Sequence, residues 1–76
     1  MDEYLYLVTY EPNRPDDFIS VHNLTNKPAL MSAISTLNMK KDILVNGQGT
    51  WYYPTKAISV REAMNKFWKE FRNRND

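Results

Sequence analysis

The chain has 76 residues, 42% of them hydrophobic, no cysteine and a formal net charge of +1. That length serves one domain spanning residues 1–76, and the lack of cysteine excludes disulfide staples and thiolate metal sites. Near-neutral charge argues against a dedicated nucleic-acid binder, while three Phe, two Trp and five Tyr argue against intrinsic disorder.

A core this small contributes only about 3 to 5 kcal/mol net, which leaves a partner protein or a homodimer as the open route to further stability. Met1-Asp2-Glu3 lacks the basic start and apolar stretch of a secretory signal, and no apolar run reaches the length of a membrane span. A cytoplasmic protein without membrane contact is expected.

Tyr4 to Tyr10 is rich in aromatic and β-branched residues with apolar groups on both alternating faces, as in a central strand covered on two sides. The prolines of Glu11-Pro12-Asn13-Arg14-Pro15-Asp16-Asp17 stop it, and Phe18 to His22 resumes a short β pattern that pairs back as a hairpin. Pro28 suits the first turn of a helix over residues 27–38, capped by Thr25 or Asn26, with Leu30, Ala33, Ile34 and Leu37 on one stripe. Asn38 is placed for a left-handed exit, and Lys40 and Lys41 for the negative end of the helix.

Ile43-Leu44-Val45, Asn46-Gly47-Gln48-Gly49 and Thr50-Trp51-Tyr52-Tyr53 read as a second hairpin ended by Pro54. A Gly47-Gln48 turn sets Leu44 opposite Trp51 and Ile43 opposite Tyr52. Ser59-Val60-Arg61-Glu62 has the form of a capping box, with Ile58 as its hydrophobic staple. Val60, Ala63, Met64, Phe67, Trp68 and Phe71 then share one helical stripe, opposite Arg61, Asn65, Lys66, Lys69, Glu70 and Arg72. The order ββαββα predicts an α+β fold, a small antiparallel sheet with two amphipathic helices packed on one face.

No constellation of catalytic groups emerges, and no metal or cofactor is expected. His22 and Ser20 fall on one face of a strand, but no orienting acid or oxyanion donor accompanies them. Asp16-Asp17 lacks a third oxygen ligand, and Gly47-Gln48-Gly49 sits in a hairpin and not at a helix N-terminus. Trp68 lies at the stripe edge beside Arg61 and Arg72, a pairing frequent in binding hot spots, though the same ring can simply close the core. Ser32, Ser35 and Thr36 give the first helix an uncharged outer face, and Trp51 and Tyr53 add rings beyond what one covered sheet face needs. Trp51, Tyr53, Arg61, Trp68, Arg72, Ser32 and Ser35 are therefore the candidate protein contacts.

The alternative is nucleic-acid binding through Lys66, Lys69, Arg72 and Arg74. Glu62, Glu70 and Asp76 interrupt that patch, and pairs four residues apart, Glu62 with Lys66 and Glu70 with Arg74, account for most of the charge.

The brevity, the many asparagines and the run from Asn46 through Pro54 to Ile58 look like the small accessory proteins of bacteriophages and prophages. The resemblance implies a non-enzymatic regulator or inhibitor that binds a host protein, and it transfers no functional residue.

Overall fold

Eight residues, Tyr4–Glu11, form β1, the strand whose two apolar faces demand cover on both sides, and β2 (Phe18–Asn23) returns along it as an antiparallel hairpin. The computed structural model describes residues 2–13, 18–36 and 39–74. A 3-10 turn (Leu24–Asn26) leads into α1 (Pro28–Thr36), followed by β3 (Val45–Gly47), β4 (Thr50–Ala57) and α2 (Val60–Asn73). The architecture is α+β in the order ββαββα, with one four-stranded antiparallel sheet ordered β2-β1-β4-β3. No helix is long and apolar enough to cross a membrane among the described residues.

Alternation along β1 sends Tyr6, Val8 and Tyr10 to one face and Leu5, Leu7 and Thr9 to the other. On the first face they meet Tyr53 and Ala57 of β4 and the fully buried Ala63 and Phe67 of α2. Ile19, Val21, Leu44, Trp51, Trp68 and Phe71 ring that cluster. Phe67 at 0% exposure is the centre of the stripe, as helical spacing predicts. Val60, expected on the stripe, stays exposed because the β1–β4 ladder ends at the pair Tyr4↔Ala57, short of the first helical turn.

The cap forms with a shifted return bond: Ser59 Oγ accepts the Glu62 amide at 3.1 Å as in a capping box, but the Glu62 carboxylate accepts the amide of Ile58, one residue before the cap, at 2.9 Å. Ile58 does not act as a staple and remains exposed, since the residue it would grip is the short Ala63. α2 carries the helix packing on the sheet. α1 leans on the 3-10 turn, and none of its residues is buried. Leu30 and Ile34 of its expected stripe are half-buried and Ala33 is exposed, while Leu37 and Asn38 lie outside the described residues.

Three local expectations are corrected. Thr25 and Asn26 belong to the 3-10 turn and stand before the residue at the α1 cap position, and Asn23 Oδ1 accepts the Thr25 amide at 2.9 Å. Lys27 stands at the cap position, and its carbonyl accepts the amides of Leu30 and Met31.

The second hairpin turns one residue later than expected. Gln48 and Gly49 both take positive φ, 54° and 90°, as a two-residue turn of this hand requires. Gly47 then pairs with Thr50, Asn46 with Trp51 and Val45 with Tyr52, and Ile43 is left before the strand, exposed. The Gly49 amide points at Asn46 Oδ1, 3.4 Å away.

Pro54 does not end β4, which runs on to Ala57 with Pro54 opposite Leu7. The Pro54 carbonyl accepts the Asp42 amide at 2.6 Å, on the side of the sheet where β3 has already stopped. The missing proline N–H faces that same side, so no ladder bond to β1 is lost.

Candidate interaction surface

The rings that sequence reasoning reserves for a partner are largely drawn into the protein's own core. Trp51 lies opposite Tyr10 in the ladder and so faces α2. Tyr10 is surrounded edge-on by Trp68 at 5.0 Å, Phe71 at 5.3 Å and Phe67 at 5.7 Å between centroids, and Trp51 meets Phe71 at 5.4 Å. Edge-to-face contacts of this kind add to the burial of each ring. Tyr53 is only 3% exposed, which removes it from any contact surface. Trp68 and Trp51 are half-buried members of the core rim.

The pairing of Trp68 with Arg61 and Arg72 is replaced by another. Arg74 places its guanidinium 3.8 Å from the Phe71 centroid and 5.1 Å from that of Trp51, and it donates to the Phe71 carbonyl at 2.6 Å. Arg61 and Arg72 stand exposed on the outer side of α2. A helical wheel gives azimuth, whereas Arg74 reaches back from beyond the last turn, which the wheel does not show.

The basic set of the alternative reading is dispersed in the same way. Lys66 Nζ donates to the Lys56 carbonyl at 2.6 Å, and the Glu62 carboxylate holds the Ile58 amide, so both members of that expected pair engage backbone. Arg74 is folded onto the rings. Lys69 and Arg72 are left exposed.

Ser32 and Ser35 are exposed on α1, together with Pro28, Ala29, Met31, Ala33 and Thr36. Met31 is 42% exposed, and Pro28–Thr36 contains no charged residue. The helix therefore presents an uncharged, apolar and small-residue surface, and among the elements of the fold it packs chiefly on the 3-10 turn.

Two polar clusters lie elsewhere on the sheet. Ser20 Oγ and His22 Nε2 lie 3.1 Å apart on the sheet face opposite α2, where Ser20 neighbours Thr9 and His22 neighbours Leu7 in the ladder. Neither ladder neighbour is an acid that could orient the ring. Asp42, which sequence reasoning passes over, accepts from the buried Thr55 Oγ1 at 2.7 Å and from the Tyr53 hydroxyl at 3.5 Å. Its only local signal is that Asp tolerates the left-handed backbone, here φ 64°.

Burial first, and then the nearby carboxylates of Asp42 and Glu70, push the Tyr53 phenol above its ordinary 10.0. Among the described residues there is no group of three potential metal ligands and no cleft; Asp16-Asp17 lies outside them. Comparison with family models, curated proteins and solved structures finds no match to the chain.

Proposed function

We propose that the chain is a small non-enzymatic protein-binding regulator or inhibitor, of the kind bacteriophages direct at host proteins in the cytoplasm, and that α1 is its contact element. One observation carries the reading: α1 has nine residues, none charged and none buried. Helices shorter than about 12 residues are marginal in water and take their stability from packing on something. Among the described elements the 3-10 turn is its main packing partner, and only Leu30 and Ile34 of the helix are half-buried.

A partner groove lined with apolar side chains would receive Met31 and the small residues around it, with Ser32 and Ser35 supplying hydrogen bonds at the rim. The half-buried rings of Trp51 and Trp68 then serve the fold and not the partner.

Photo-crosslinkers placed singly at Ser32, Ser35, Arg61 and Lys69 test this in the native host. Capture of one protein from the two α1 positions, abolished by Met31→Asp, is the expected result. Equal capture from all four positions, or capture of nucleic acid through Lys69, would reject it.

A further inference from the structure

The bond from the Asp42 amide to the Pro54 carbonyl fixes the parity of the whole sheet. In an antiparallel ladder a residue's N–H and C=O point to the same side, so Pro54 points away from β1 and the pair Leu7↔Pro54 is not hydrogen-bonded. Leu7 therefore points to β2, and its opposite number His22 points back. By alternation Ile19, Val21 and Asn23 direct their backbone groups outward from the sheet edge. Ile19 and Val21 make no backbone hydrogen bond beyond strand pairing among the described residues, whereas the carbonyl of Asn23, the N-cap of the 3-10 turn, is taken by that turn and only its amide faces outward unused.

The two edges of the sheet differ. β3 is three residues long and ends in a tight turn, which blunts it. β2 has six residues, Phe18-Ile19-Ser20-Val21-His22-Asn23, with no Lys, Arg, Asp, Glu or Pro, the residues that normally guard an edge against pairing.

From this edge we infer that β2 is a self-pairing strand, and that two copies join β2 to antiparallel β2 to make one eight-stranded sheet. The occupant is a second copy because the strand carries no fixed charge to repel itself and is self-complementary in one register. Val21 sits on the twofold axis opposite its own counterpart, where both backbone bonds form, and the Ile19 carbonyl meets the free amide of the other copy's Asn23. Ser20 then lies opposite His22 across the axis. The inference uses β2 alone and is independent of the role proposed for α1.

Two single substitutions in the full chain test it, read by sedimentation equilibrium alongside circular dichroism. Val21→Pro removes an outward donor and trims one half-buried side chain at the core rim while keeping the β1–β2 ladder, so a folded protein shifted from dimer to monomer is expected. Val21→Cys adds the only thiol of the chain. At about 5.5 Å between Cα atoms across the axis, it should oxidise to a disulfide dimer much faster than Ser35→Cys.

Should Val21→Pro fail to fold, the cysteine comparison decides. A monomeric wild-type chain at high concentration, a Val21→Pro variant as dimeric as wild type, or Val21→Cys oxidising no faster than Ser35→Cys each overturns the inference.

Discussion

Thr55 Oγ1 donates to Asp42 Oδ1 at 2.7 Å, tying the loop that enters β3 to the centre of β4. Thr55 is fully buried, so this bond satisfies a hydroxyl that water cannot reach. Removing the acceptor leaves that hydroxyl unsatisfied, and Asp42→Ala is expected to cost about 1 to 3 kcal/mol in urea denaturation. Thr55→Val removes the partner and the need together. The double variant should therefore be more stable than the sum of the two single losses, which a double-mutant cycle reads directly.

The neighbouring Tyr53 gives the fold an alkaline limit. Its phenol titrates above 10.0 in the folded state, so the folded chain holds the proton more tightly than the unfolded one. Stability from this group is complete below the unfolded value near 10 and is lost as pH rises through the folded value. Tyr53→Phe is expected to flatten the fall of stability above pH 10, measured by urea midpoints against pH. An unchanged slope would assign the alkaline loss to other groups.

Phe67 is the test of the core. Phe67→Ala is expected to cost about 3 to 5 kcal/mol, comparable to the whole stability of a domain this size, so the variant should be unfolded by circular dichroism. Arg72→Ala, on the exposed side of the same helix, should stay within about 0.5 kcal/mol of the parent.

The turn of the second hairpin is open to improvement. Gln48 holds φ 54°, a left-handed backbone that a long side chain adopts at a cost of about 1 to 2 kcal/mol. Asn tolerates it better, and Gln48→Asn should raise the thermal midpoint, with a gain of a few tenths to about 1 kcal/mol. Gly49→Ala, at φ 90°, should lower it.

Much of the fold is legible in the residues, and the failures have a common cause. β1, β2 and α2 follow from local period and capping chemistry, which act within a few residues and leave their mark there. The continuation of β4 through Pro54 depends on β3 stopping short of it, a fact about another strand. The turn at Gln48-Gly49 competes with one at Gly47-Gln48 in a sequence that offers glycine to both.

The candidate site was legible only in part. The uncharged face of Ser32 and Ser35 is visible in the sequence, and it lies exposed on α1. Trp51, Tyr53 and Trp68 look surplus when rings are counted, but α2 meets the sheet along a row of rings from Phe67 to Phe71 that takes all three in. Which rings a helix covers depends on its crossing of the strands, and that crossing is set by packing and not by local pattern.

Amide hydrogen exchange on the purified chain tests most directly whether α1 lacks an interior of its own. Amides of Leu30 to Thr36 should exchange at nearly the rate of an open peptide, while those around Phe67 in α2 and Val8 in β1 exchange orders of magnitude more slowly. Protection across α1 equal to that around Phe67 would show that the isolated chain already covers this helix, and the account of α1 as a surface awaiting a partner would be wrong.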